Sequence, residues 1–476
     1  MTTINNKTLP VILSGGEGVR LWPASNPKTP KQFLKLSQSK TLFDNTIETI
    51  QASLSFEELI VSGSIYHTHT IRKHISNYPF KKTVIAEPSK KNTAAAIITS
   101  ALYTQNIDKN AISIVFPCDH YIKNLNHLKE TLNTAILLAK NKKIVAIGVE
   151  PSYPESGYGY IKKGAACEGG FEIDQFIEKP SKHQAEKLLL ESDYLWNAGI
   201  FVFEAATLIE YCNEINPKIV DACSQALTKA NSVDNVIQLS SEHYELNENI
   251  SFDKALMENI RNRATVELKC AWSDLGNWES LGKMNRNEDG NLIVGNTLTV
   301  NTKNSVVYGE SGLVSTFGVN DMVVVESAGN MLVMPKKNAT ELHAFIEILK
   351  SKDSHKNKIN DISKRPWGSY KIIDSGEGFQ VKRITVNGHQ SISLQFHNHR
   401  MEHWFVVNGT GIVTLGDNQV TIKKGMSVNI EKKQVHRIRN TGSETLIFIE
   451  VQMGSYLEED DIVRLEDDYN RIKKIK

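Results

Sequence analysis

Short apolar runs alternate with amphipathic stretches through roughly the first 280 residues. Thr8–Leu13 (TLPVIL) reads as a buried strand entering a Gly-rich turn, and Leu59–Val61, Val84–Ala86, Ile112–Phe116 and Lys143–Val149 read as further strands. Leu128–Lys140 places Leu132, Ala135, Ile136 and Ala139 on one helical face. Strands alternating with helices predict an α/β fold, a doubly wound and mostly parallel sheet that holds ligands at the carboxyl ends of its strands.

From about residue 290 the pattern changes. Asn291–Val300, Ser305–Tyr308, Gly312–Phe317 and Met322–Val325 are short β runs separated by Gly, Asn and Ser, as in a few coils of a β-solenoid. A helical stretch, Ala339–Leu349, and a Lys-rich polar linker, Ser351–Lys364, follow. After Arg365-Pro366-Trp367-Gly368 short strands carry turn signals about every 8–12 residues, which predicts a small sandwich or barrel. The acidic tail Glu458–Lys476 is expected to be helical.

Composition narrows the function classes. The 476 residues carry 55 Lys+Arg against 54 Asp+Glu, so no basic surplus marks the chain as a nucleic-acid binder. No apolar run approaches membrane-spanning length, and the first residues lack a secretory pattern. The five cysteines, Cys118, Cys167, Cys212, Cys223 and Cys270, are scattered without CxxC spacing. A reduced, cytoplasmic chain is expected.

The first chemical constellation follows the first strand: Leu13-Ser14-Gly15-Gly16-Glu17-Gly18-Val19-Arg20-Leu21-Trp22-Pro23. Glycines let consecutive N–H groups approach an anion, and Arg20 offers a fork of donors to phosphate. The spacing matches neither Walker A nor the dinucleotide fingerprint. Pro30-Lys31-Gln32-Phe33-Leu34 then places a lysine after a stiffened loop.

LSGGxGxRLWPxS followed by PKQFL resembles the signature of the mannose-1-phosphate guanylyltransferases. Further segments agree in order: Glu87-Pro88 with Lys91-Asn92-Thr93-Ala94, Pro117-Cys118-Asp119-His120, Pro154–Ile161, Phe176–Pro180, Trp196–Phe201 and Trp272–Trp278. The resemblance implies a GT-A-like nucleotidyltransferase domain that makes GDP-mannose and pyrophosphate from GTP and mannose 1-phosphate. It implies that Gly15, Gly16 and Gly18, with Leu13 behind them, cradle the triphosphate. Arg20 would stabilise the leaving pyrophosphate and Lys31 the attacking phosphate. Asp119 and Asp274 would hold Mg2+. Gly159, Glu178 and Asn197 would contact the sugar, with Lys179 near its phosphate, and Glu87, Asn92 and Thr93 would lie near the base or ribose. Val19, Asn26 and Lys91 depart from the family pattern.

The second constellation is His397-Asn398-His399-Arg400-Met401-Glu402-His403. On a continuous strand residues 397 and 399 share a face, so two imidazoles would point into the barrel. Gly425, His436 and Asn440 fit cupin spacing, with Glu402 or His403 as the carboxylate-position ligand and Glu402 preferred. The surrounding text, Arg365–Tyr370, Phe379–Ile384, Ser393–Trp404 and Ile449–Arg464, resembles the type II phosphomannose isomerase domain. That resemblance implies a divalent transition metal, Zn2+ or Co2+, on His397, His399, Glu402 and His436. It implies interconversion of fructose 6-phosphate and mannose 6-phosphate with His403, Glu402 or Glu450 as base, and Lys382, Arg383 and Arg400 as phosphate contacts. Asn398 stands where the family has histidine; facing outward, it would leave the metal site intact.

The expectation is therefore a bifunctional, homo-oligomeric (dimeric) enzyme without membrane or nucleic-acid partners. Residues 1–285 would form the nucleotidyltransferase domain, 286–355 the solenoid and 356–476 the cupin barrel. The rival is a guanylyltransferase whose cupin is structural or regulatory.

Overall fold

The computed structural model describes residues 7–16, 18–26, 29–35, 40–282, 286–352 and 362–469. Most of the polar linker and residues 470–476 of the tail lie outside the described residues.

The first domain is built on one eleven-stranded sheet. Its centre is parallel: Thr8–Ser14 lies between Glu58–Ser64 and Ile112–Pro117, and Lys81–Glu87 continues beside Glu58–Ser64. These strands are apolar almost throughout, because helices cover both faces. Tyr194–Glu204 enters antiparallel between Ile112–Pro117 and Ile144–Val149. That reversal carries its N-terminal half, with Asn197, to the edge where the parallel strands end.

Residues 292–335 form a four-stranded sheet whose first three strands run parallel, Leu292 beside Val306 and Val306 beside Val323. A β-ladder of this kind with stacked Thr302 and Thr316 hydroxyls, 2.9 Å apart, is a short solenoid. Ser305–Tyr308 and Gly312–Phe317 belong to one irregular strand, Val306–Phe317, and Asn330–Pro335 adds an antiparallel strand. The helix here spans Leu342–Lys352. The solenoid shares a core with the glycine-loop region: Leu21, Ala24 and Leu34 pack with Trp278, Leu292, Val306, Leu332 and Leu342. Trp278 Nε1 donates to the Trp22 carbonyl at 3.0 Å.

The C-terminal domain is a barrel of two sheets, six-stranded and five-stranded. Alternation places Trp404, Val406, Phe448, Leu446, Val413 and Ile438 between them. The expected helical tail is corrected where described. Glu459–Asp461 is one 3-10 turn, and Ile462–Glu466 is a strand paired with Leu394–His397. Charge density made the segment look helical, but an open strand edge beside Leu394–His397 was the stronger constraint.

Candidate active sites

Two distant aspartates meet because a short strand pair joins their loops. Tyr121–Ile122 pairs antiparallel with Trp272–Ser273, which sets Asp119 and Asp274 beside each other's segments. Lys31, at the start of a 3-10 turn after Pro30, lies under both. Its Nζ donates to Asp119 Oδ2 at 2.8 Å and to the Asp274 carbonyl at 2.6 Å. Lys31 is only 6% exposed, so this pairing is what makes a buried ammonium tolerable. Burial raises the Asp119 carboxyl, but Lys31 and His120 outweigh it and hold it below its ordinary range. Tyr158 donates to Asp274 Oδ1 at 2.7 Å, and the Gly276 N–H donates to the same oxygen at 3.0 Å. Trp272 Nε1 donates to His120 Nδ1 at 3.2 Å. The aspartates are thus oriented by an aromatic wall that the sequence motifs contain but do not explain.

The loop above them is open. Gly15 and Gly16 are exposed, and a Cβ at either would meet nothing within 4 Å. Gly16 has φ 94° and Gly18 has φ 62°, conformations that suit glycine. Leu13 is half-buried in the strand, and Arg20 is exposed on a 3-10 turn.

Gly159, Glu178 and Asn197 come together: a Cβ on Gly159 would lie 2.9 Å from Glu178 Oε2 and 3.3 Å from Asn197 Cβ. Lys179 Nζ lies 3.1 Å from Glu178 Oε1. Sequence reasoning missed Asp253, whose Oδ1 accepts from Asn197 Nδ2 at 2.8 Å. It sits in a single π-helical turn, Asp253–Met257, for which no sequence signal exists.

The residues expected near the base also make contacts within the domain. Glu87 is buried, with its two oxygens accepting from the Ser62 hydroxyl at 2.9 Å and the Tyr244 hydroxyl at 2.8 Å. Thr93 Oγ1 accepts from the Phe252 N–H at 2.8 Å. Asn92, at φ 61°, starts the helix Asn92–Ile107 and accepts from the Thr93 N–H. Glu87 and Thr93 thus tie elements together.

In the barrel, His397 and His436 come from one sheet and Glu402 from the other. One ligand atom from each lies within 4.8 Å of the others, and all three residues are buried. His397 Nε2 stands 3.1 Å and His436 Nε2 3.8 Å from Glu402 oxygens. Neither nitrogen forms a hydrogen bond, nor does His397 Nδ1. Orphaned buried nitrogens facing a carboxylate are what a metal site leaves when considered without its ion. His436 Nδ1 meets the Gln434 carbonyl at 2.8 Å, which turns the Nε2 lone pair inward. Burial also lowers the His436 pKa, keeping it neutral and able to ligate. The donor set therefore fits a divalent metal.

Burial opposes ionisation of Glu402, but His397, His436 and Arg400 hold its carboxyl well below the usual range. Glu450 is the reverse: burial and the Glu402 charge push it up to about 8. Its oxygens accept from Trp404 Nε1 at 3.0 Å and Gln452 Nε2 at 2.8 Å. Lys382, Arg400, Arg365, Glu450 and Glu459 line one cavity with Glu402.

Three expected residues lie elsewhere. His399 is not in the cluster, because the strand ends at His397 and residues 398–399 form a bend, so alternation no longer applies. Its Nδ1 meets Asp461 Oδ1 at 2.8 Å. His403 follows inward Glu402 and faces out, bonded to Asn429. Arg383 follows inward Lys382 and is exposed. Asn398 is exposed and outside the cluster.

A glycine-rich loop at a strand end, a buried lysine tying the Asp119 carboxylate to the Asp274 main chain, and a separate barrel cluster of two histidines and a glutamate point to a nucleotidyltransferase fused to a cupin-type domain. A family model described as nucleotidyl transferase matches residues 9–290. Models described as MannoseP isomerase/GMP-like beta-helix domain and mannose-6-phosphate isomerase C-terminal match residues 295–349 and 352–467. A mannose-1-phosphate guanylyltransferase of Escherichia coli (strain K12) is 35% identical, over 98% of this chain and 99% of that one. A crystal structure described as mannose-1-phosphate geranyltransferase from Thermus thermophilus is 29% identical with TM-score 0.64, covering 72% of this chain and 99% of that one. One of mannose-6-phosphate isomerase from Helicobacter pylori is 30% identical with TM-score 0.50, covering 56% and 99%. The chain belongs to the mannose-1-phosphate guanylyltransferase family, in the form that carries a C-terminal mannose-6-phosphate isomerase domain. No helix among the described residues is long and apolar enough to cross a membrane.

Proposed function

We propose that the chain transfers GMP from GTP to mannose 1-phosphate, releasing pyrophosphate, while its barrel interconverts fructose 6-phosphate and mannose 6-phosphate. The observation that carries the first reading is Lys31 Nζ between Asp119 and Asp274, below an open loop of glycines. Both substrates are polyanions, so the catalytic task is to hold two phosphates in line and neutralise their charge. Glycine-loop N–H groups and Arg20 take the triphosphate, and Lys31 orients the attacking phosphate oxygen. Asp119 and Asp274 bring hard carboxylate oxygens on adjoining loops, which suits Mg2+; when bound, Mg2+ supplies further charge neutralisation. Gly159, Glu178 and Asn197 receive the sugar, with Lys179 beside its phosphate.

In the barrel His397, Glu402 and His436 hold the metal, Zn2+ or Co2+, which supplies carbonyl polarisation when bound. Glu450 lies in the same cavity and is the carboxyl placed to move a proton between C1 and C2. Lys382 and Arg400 hold the sugar phosphate. A matrix of nucleotides against sugar phosphates, read by pyrophosphate release, with a coupled isomerase assay on fructose 6-phosphate, tests both halves. Pyrophosphate release selective for GTP and mannose 1-phosphate is expected. Release without isomerase turnover in metal-loaded protein would leave the rival, a structural or regulatory barrel.

Lys31 also gives a moderate prediction. A Cβ at Gly18 would sit 2.2 Å from Lys31 Cβ, at a φ of 62°. Gly18→Ala should therefore displace Lys31 and lower kcat/KM for guanylyl transfer about tenfold, since small misplacements of a positioning group are costly. Steady-state kinetics of the variant check this.

A further inference from the structure

We propose that Asp253 is a positioning residue for the sugar subsite, acting through Asn197 to fix which of its amide atoms meets the sugar. The inference rests on the reading of Asn197 as a sugar contact. Asn197 can rotate its amide by half a turn, exchanging an acceptor for a donor at nearly the same place. Two bonds prevent this. The Gly199 N–H donates to Asn197 Oδ1 at 2.9 Å, where Gly199 turns the chain at φ 66°. On the other side Asn197 Nδ2 donates to Asp253 Oδ1 at 2.8 Å. The first bond holds the amide oxygen and the second holds the opposite atom, so the flipped amide would lose the Gly199 N–H and turn its oxygen toward the Asp253 carboxyl.

Asp253 is held where this requires. It begins the π-helical turn Asp253–Met257, and the preceding Phe252 N–H is anchored on Thr93 Oγ1 at 2.8 Å. The helix Asn92–Ile107 therefore sets the depth of the carboxylate. Thr93 thereby holds the segment that carries Asp253. Asp253 also lies near Glu178, the carboxylate bordering Gly159, with Lys179 opposite. Burial and the Glu178 charge push Asp253 up to about 7. Two carboxyls and one oriented amide around a glycine floor give a fixed arrangement of polar atoms, which can select a particular arrangement of sugar hydroxyls.

The test is a double-mutant cycle on the full chain, read as KM for mannose 1-phosphate and for GTP and as kcat. Asp253→Ala should raise KM for mannose 1-phosphate about tenfold, the effect of one half-buried hydrogen-bond partner lost, with KM for GTP unchanged. Asp253→Asn keeps an acceptor and should recover to within about threefold of the original. In an Asn197→Ala background, Asp253→Ala should add nothing, because the residue it orients is gone. Additive effects in the two backgrounds, or equal rises in both KM values, would overturn the proposal. If Asp253→Ala fails to fold, Asp253→Ser, whose side chain is too short to reach the Asn197 amide, decides. A rise in KM for mannose 1-phosphate alone supports the proposal, and no rise, or equal rises in both KM values, refutes it. Absence of pyrophosphate release by the unaltered chain would instead refute the guanylyltransferase reading on which it rests.

Discussion

Asp119→Asn lowers pyrophosphate release from GTP and mannose 1-phosphate by at least about a thousandfold, the size expected when a preorganised charge at a phosphoryl centre is removed. The substitution keeps the shape of the side chain and an oxygen to receive the Lys31 ammonium at 2.8 Å. It removes the charge that balances Lys31 and that would hold Mg2+. Asp119→Ala is a poorer test, since a buried ammonium stripped of its partner costs about 3–5 kcal/mol and confuses stability with catalysis. Steady-state kinetics with a melting curve separate the two. Activity within tenfold of the original, at unchanged melting temperature, would remove Asp119 from the reacting centre.

In the barrel, Glu402→Gln is expected to abolish both bound divalent metal and isomerase turnover, the latter by about a thousandfold. Glu402 stands against both histidines, and it also accepts from Arg400 Nε at 3.2 Å and Gln452 Nε2 at 3.0 Å. Metal content after dialysis, measured by elemental analysis, is the direct readout. The matched control is His399→Asn: because His399 sits on the bend and meets Asp461, metal content and turnover should stay within about threefold. Guanylyl transfer should be unaffected by either. Loss of metal in the His399 variant, with metal retained in the Glu402 variant, would reverse the assignment.

The sheet strands and the order of the chemical motifs were legible because each is local: an apolar run, then a turn, then a charged residue. Lys382 and Glu402 could also be separated from Arg383 and His403 by strand parity, since Ile384 and Trp404 fix the inward phase two residues away. His399 was misplaced because parity presumes an unbroken strand, and the bend after His397 is dictated by the partner Asp461, some sixty residues further on. The strand at Ile462–Glu466 was hidden for the same reason; only its neighbour, Leu394–His397, makes it a strand. Asp253 carried no local mark, and its role depends on Asn197 and Thr93 meeting it from two other elements.

The shared core of the glycine-loop region and the solenoid bears on how such chains can diverge. Leu21, Ala24 and Leu34 flank Arg20 and Lys31 in the sequence and pack in one core with Leu292, Val306 and Leu332. A lineage cannot shed the solenoid without baring the underside of its own nucleotide loop, nor replace it with another module unless the loop's apolar residues change in step. Transferase and solenoid thus stand on one common core, whereas the barrel has its own around Trp404 and Phe448.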